Sequence, residues 1–333
     1  MHALNDTAPH PATAALRVDY RREPLDALLA DPRLLAVFGF GDAAPATHVD
    51  PRYLHVALPT LGDAPFECWF VDGGIRSGRE NGIAFSGDGT LQFGALDVAD
   101  DDDIETAAAD AYARLQTWLA NSGYPHPLRI WNYMDAITEG DGDDERYRRF
   151  CVGRARGIGR ALAAGELPAA TAIGLPHRSG RFQLYWLAAR TPGQPLENPR
   201  QLQAWRYPRQ YGPQAPGFAR ALLPAQTTMP LLLSGTAAIV GHASQHGDSL
   251  ASQLDEVLAN LDSLVVTARA QRPGLAAHFG TASRLKVYVR DAGSLPHVAA
   301  LLDARLPTDV PRIVLHGHVC RRELAVEIDG SHA

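Results

Sequence analysis

The chain runs twice through one order of elements. In the first half Ala84-Phe85-Ser86-Gly87 precedes Phe93-Gly94, a helical pattern over 104–121 carries Tyr112, Leu115 and Leu119, and a strand over 128–133 leads into Tyr133-Met134-Asp135-Ala136. In the second half Leu232-Leu233-Ser234-Gly235 precedes Val240-Gly241, a helical pattern carries Leu254, Val257, Leu258, Leu261 and Leu264, and a strand over 285–289 leads into Arg290-Asp291-Ala292. Each half continues with a second helix (143–164 and 294–303). Each closes with two strands, 170–175 with 182–189 and 312–316 with 322–328. Self-similarity of this kind marks a duplicated unit. Strands, helix, strand, helix and two strands predict an α+β fold of two halves, each a mixed sheet with both helices on one face.

Residues 1–15, rich in Ala, Pro, Thr and His, are expected to be disordered. The first unit is expected over 16–190 and the second over 231–333. Within the first, apolar runs at 34–39, 53–58, 66–71, 83–86 and 91–96, bounded by Gly, Pro and Asp, read as strands. The Asp100–Asp103 run stands just ahead of a helical pattern, where it suits the positive end of the helix dipole. The connector, 191–230, is rich in Pro, Gln and Arg and too long for an ordinary loop, which makes it a candidate functional segment.

A net charge of -6 gives no footprint for nucleic acid or an anionic membrane. No apolar window is long enough to span a bilayer, and no leader pattern opens the chain. With Cys68, Cys151 and Cys320 odd in number and far apart, a cytoplasmic, reducing setting is expected. Lys286 is the sole lysine among 31 basic residues, so any anion site must be built from arginine forks. Of the 13 histidines, His316 with His318 and His242 with His246 have pairwise metal-ligand spacing. Neither pair has a third ligand nearby, so neither a metal nor a cofactor is expected. Gly153, Gly157 and Gly159 fall inside a helical pattern and make no phosphate loop.

The helix over 143–164 places Tyr147, Phe150, Cys151, Arg154, Ile158, Ala161 and Leu162 on one face. Arg154 thus lies in a buried stripe, where an unpaired guanidinium is very costly. It must meet a carboxylate, from the protein or from a ligand. In the last strand Leu324, Val326 and Ile328 face one way and Glu323, Ala325 and Glu327 the other. On pattern alone Glu327 reads as a surface glutamate.

The second half resembles the YjgF/RidA family: a Ser-Gly strand, a Gln253–Leu264 helix pattern, a Lys286-Val287-Tyr288-Val289 strand and a closing Glu327-Ile328 strand. A resemblance to the chorismatases spans nearly the whole chain. It rests on five blocks: Arg129 to Tyr133, Arg146 to Arg154, Arg206 to Pro213, Ser234 to Ala237 and Cys320 to Glu327.

This resemblance implies two YjgF-like halves with the active site between them. It also implies that chorismate is converted to 3-hydroxybenzoate and/or 4-hydroxybenzoate plus pyruvate, or hydrolysed to a dihydroxycyclohexadiene carboxylate. It casts Glu327 as the acid and Cys320, seven residues earlier, as the mark of a 3-hydroxybenzoate former. Gly235 stands where hydrolases carry Ala. A regular strand would put Cys320 and Glu327 on opposite faces, so if both line one pocket the chain must bend, bulge or begin its strand after Cys320.

Chorismate is a dianion and needs two holds. Arg154 is the first candidate, with Arg148, Arg209 and Arg220 as others and Tyr211 as a phenol donor. The rival readings are a YjgF-like imine deaminase and a non-catalytic metabolite- or protein-binding fold. The oligomeric state stays open, because a duplication can stand in for subunits of a trimer.

Overall fold

The computed structural model describes residues 15–100, 103–159 and 164–333. The expected N-terminal disorder, apart from Ala15, falls outside those residues, as do Asp101, Asp102, Ala161 and Leu162.

A small unit precedes the repeat. β1 (Arg17–Arg21), α1 (Leu25–Leu29), β2 (Leu34–Phe40), β3 (Tyr53–Val56) and β4 (Phe66–Phe70) form a four-stranded sheet in the order β1-β4-β2-β3. Three of the early strand runs therefore leave the first repeat's sheet. β4 pairs antiparallel with both β1 and β2, so its backbone groups are satisfied in a sheet of their own. β1 escaped the sequence pattern because it is polar and only partly covered.

The first repeat holds β5 (Arg76–Glu80), β6 (Ile83–Gly87), β7 (Leu91–Ala99), α2 (Ile104–Ser122), β8 (His126–Asp135), α3 (Arg146–Ile158), β9 (Ala169–Leu175) and β10 (Arg181–Ala189). The second holds β11 (Gln194–Leu196), β12 (Ala221–Leu223), β13 (Leu231–Ala237), the hairpin β14 (Ile239–Val240) and β15 (Ala243–Ser244), and α4 (Leu250–Gln271). It continues with β16 (Ser283–Val289), α5 (Leu295–Arg305), β17 (Arg312–His316) and β18 (Val326–His332).

The two sheets run β5-β6-β7-β10-β8-β9 and β11-β12-β13-β18-β16-β17. Position for position the pairings agree: two antiparallel contacts in the centre, then one parallel pair at the edge. β13 is thus the counterpart of β7. The match of Ser86-Gly87 with Ser234-Gly235 was one strand out of step, because a short Ser-Gly strand end recurs in β6. The connector is not a plain loop either, since it supplies β11 and β12 to the second sheet.

α2 and α3 cover one face of the first sheet around Ile130, Met134, Leu184 and Trp186. α4 and α5 cover one face of the second around Leu285, Val287, Val326 and Ile328. The opposite faces contribute to one shared cluster with the N-terminal sheet, through Tyr133, Tyr185, Leu232, Tyr288, Phe38 and Trp69. Asp103 caps α2 by accepting from Thr106 N at 3.3 Å. Asp100, by contrast, is buried against the guanidinium of Arg146. A Cβ on Gly153 would stand 2.0 Å from the Glu105 carbonyl oxygen, so this glycine lets α3 lie directly on α2.

Candidate active site between the two repeats

Edge strand β9 of the first sheet lies against β13 of the second. Ala170 N donates to Ser234 Oγ at 2.9 Å, and Gly174 exchanges backbone hydrogen bonds with His318. Beside this crossing, α3, the connector and the segment before β18 enclose a cavity of about 290 Å³. That is near the lower end for small-molecule sites, which run from roughly 300 to 1,000 Å³.

Glu327 projects into this cavity and is only 5% exposed, so the pattern-based surface reading is overturned. Both faces of β18 are buried. Val326 and Ile328 pack under α4, while Glu327 and Asp329 face the first repeat. Burial pushes the Glu327 carboxyl up to about 8, with the Asp329 charge adding to it and Arg129, Arg220 and Arg290 opposing it. Among the described residues, no donor lies within hydrogen-bond distance of this carboxyl. Its Oε1 sits over the bare Cα of Gly235, where a Cβ would stand 1.9 Å away.

Cys320 lines the same cavity. β18 begins only at Val326, so the chain is free to turn between the two residues. The turn is held from outside. Arg290 donates to the carbonyls of Val319, Arg321 and Leu324, and Gln253 donates to Glu323 O while accepting from Ala325 N. Burial pushes the Cys320 thiol up to about 12, which keeps it protonated.

Arg154 is 6% exposed and aims its guanidinium into the cavity, 5.1 Å from the Tyr112 ring centroid. Among the described residues no carboxylate comes within ion-pair distance of it, and its Nη2 is buried without a hydrogen-bond partner. Of the two sources the helix pattern left open, the described residues of the protein supply no carboxylate.

Arg220, Arg148 and Tyr211 also line the cavity. Arg220 donates to Leu202 O and Tyr207 Oη, and its Nε has no partner. Arg148 makes only long contacts with Asp143 and Glu145, at 4.0 and 3.9 Å. The Tyr211 hydroxyl lies 3.1 Å from His242 Nδ1. Arg209 is not part of the site, because its guanidinium grips Asp143 at the surface and the side chain is 65% exposed. A short turn over Arg209–Tyr211 sends these neighbours in different directions.

The model for the N-terminal domain of FkbO/Hyg5-like chorismatases matches residues 67–188. A chorismatase of Streptomyces rapamycinicus is 34% identical over 284 residues, which cover 83% of this chain and 84% of the relative. The chain belongs to the chorismatase family. A 3-hydroxybenzoate synthase of Streptomyces hygroscopicus is 33% identical over 312 residues, 89% of this chain and 91% of the relative. A chorismatase crystal structure superposes with a TM-score of 0.85 at 30% identity, covering 97% of this chain and 99% of the other.

In this chorismatase-family chain two further groups at the cavity were not singled out from the sequence. Arg321 lies 3.9 Å over the Tyr211 ring and donates to His242 O and Ser244 Oγ. Thr171, on β9, lines the wall beside Gly235. Arg321 sat inside a matched block, but nothing in its spacing set it apart from Arg322, which turns outward to Asp141. The paired histidines are otherwise engaged, His316 with Arg290 O and His242 with Tyr211.

Proposed function

We propose that this chain is a chorismatase that converts chorismate to 3-hydroxybenzoate and/or 4-hydroxybenzoate plus pyruvate. The observation that carries this reading is the pairing in one cavity of a buried carboxyl held near 8 with a buried guanidinium that meets no carboxylate among the described residues. One supplies a proton at neutral pH, and the other awaits a carboxylate.

Chorismate carries an enolpyruvyl ether at ring C3 and a hydroxyl at C4. Glu327 gives its proton to the enol methylene, generating an oxocarbenium ion. The C3–O bond then breaks, its electron pair completes the keto group, and pyruvate leaves. With water excluded, the C4 oxygen closes onto C3 and returns its proton to Glu327, forming an arene oxide. Opening with oxygen kept on C3 and loss of the C3 proton yields 3-hydroxybenzoate. Opening the other way yields 4-hydroxybenzoate. Water reaching the cation instead yields the dihydroxycyclohexadiene carboxylate. A difference of about 1.4 kcal/mol in barrier shifts the ratio tenfold.

Arg154 holds one substrate carboxylate, with Arg220, Arg148 and the Tyr211 hydroxyl disposed around the other. A thiol held up at about 12 is no nucleophile, and Cys320 acts by shape and by excluding water.

The test is to incubate purified protein with chorismate and separate the products. Equimolar pyruvate and a hydroxybenzoate support the reading. Quantitative formation of the diol acid moves the chain to the hydrolytic branch. No consumption of chorismate removes the reading altogether.

A further inference from the structure

Glu327 and Asp329 stand two residues apart on the same face of β18, and the interface treats them in opposite ways. Asp329 is fully buried; its Oδ2 accepts four hydrogen bonds, while its Oδ1 has no hydrogen-bond partner among the described residues. From the first repeat come Arg129 Nη2 at 3.1 Å, Trp131 Nε1 at 2.9 Å and Thr171 Oγ1 at 2.8 Å, and from β16 comes Tyr288 Oη at 3.0 Å. Lys286 Nζ, 3.8 Å from Oδ1, is held chiefly by Glu67 at 2.9 Å. Glu327, one pleat along, receives no hydrogen bond from the described residues. A carboxyl that is buried without accepting a hydrogen bond is held neutral.

We propose that Asp329 is a positioning residue for the acid at 327: by drawing Arg129 and its neighbours to itself and standing as a fixed charge on the same strand face, it keeps Glu327 protonated. This rests on Glu327 being the proton donor. The arrangement resolves a conflict built into the site. A pocket for a dianion must be rich in arginine, yet arginines facing the acid would ionise it. Arg129, fully buried on β8, is the cation that most strongly opposes the proton on Glu327, and it is bonded to Asp329 and Thr171 instead. Arg220 from the connector is turned to Leu202 O and Tyr207, and Arg290 beyond β16 to loop carbonyls. From the remaining elements around the acid, α3 contributes Tyr147 and Arg154, and the turn before β18 contributes Cys320. Glu145 and Glu323 with Arg148, Arg321 and Arg322 also line the cavity, as do Tyr207 and Tyr211 of the connector.

The test is the alkaline limb of kcat/KM for chorismate in wild type and two variants. Asp329→Asn keeps the shape and removes the negative charge, so the limb is expected to move down by at least one pH unit, with activity recovering as the pH is lowered. Arg129→Gln keeps a donor for Asp329 and removes the positive charge, so the limb is expected to move up. Merely structural damage would lower the rate at every pH and leave both limbs in place, and that result would overturn the proposal. If Asp329→Asn does not fold, Arg129→Gln decides alone: an upward shift supports the proposal, and an unmoved or lowered limb overturns it. Glu327→Gln separates the two levels. If it retains turnover and the limb, the assignment of the acid fails. If it is inactive while neither other variant moves the limb, only the role of Asp329 fails.

Discussion

A methyl group on Gly235 would stand 1.9 Å from Glu327 Oε1, so the acid occupies space that any side chain at 235 would claim. Thr171 Cγ2 lies 3.3 Å from the same point. β13 therefore sets the carboxyl's position through the absence of an atom. Gly235→Ala is expected to push the carboxyl aside, lower kcat by about tenfold or more, equivalent to about 1.4 kcal/mol, and raise the share of diol acid. Product separation by chromatography reads both effects. An unchanged rate and product ratio would show that the carboxyl can move freely.

Glu327→Gln keeps the volume and removes the proton. Turnover is expected to fall about 10²–10⁴-fold, the range of general acid catalysis, and in wild type kcat/KM should decline above about pH 8. Stability follows the same proton. The folded carboxyl is raised from 4.5 to about 8, so its contribution is whole below 4.5 and is lost as the pH climbs through about 8. Melting temperatures of wild type and Glu327→Gln should therefore diverge across that window, with wild type falling behind. Parallel melting curves from pH 5 to 9 would contradict the raised value.

Arg154→Met removes a buried guanidinium that meets no carboxylate among the described residues, so the melting temperature is expected to hold or rise. Hydrogen bonds to charged groups contribute about 1.5–3 kcal/mol, so kcat/KM should fall by roughly 10–150-fold. A large loss of stability would mean that the guanidinium serves the fold instead.

Cys320→Ala is expected to open the cavity beside the acid and increase the diol acid relative to hydroxybenzoate. With the thiol held at about 12, the change in ratio should be the same at pH 6.5 and pH 8.5. A ratio that follows pH would point to thiolate chemistry.

The sequence pattern reached some parts of this molecule and not others. The two helices and the later strands of both repeats were legible because apolar periods of 3.6 and 2 are local properties, whereas β11 and β12 were missed inside the connector. Arg154 was legible as well, since a charge in an apolar helix stripe demands an explanation. The glycines of α3 could be dismissed as a phosphate loop, but their purpose, the close approach to α2, appears only once both helices are placed. Arg209 and Arg220 look alike in a Pro-rich connector. One meets Asp143 in solvent, and the other enters the cavity wall.

Local periodicity thus settled the duplicated α+β plan and put a guanidinium in a buried stripe, because each follows from spacing along a few turns or pleats. Tertiary structure alone decided that the face of β18 carrying Glu327 and Asp329 is covered by the first repeat, and that among the described residues four donors reach Asp329 and none reaches Glu327. Those outcomes depend on residues up to 200 positions apart, Arg129 and Asp329 among them, and no window along the chain contains both.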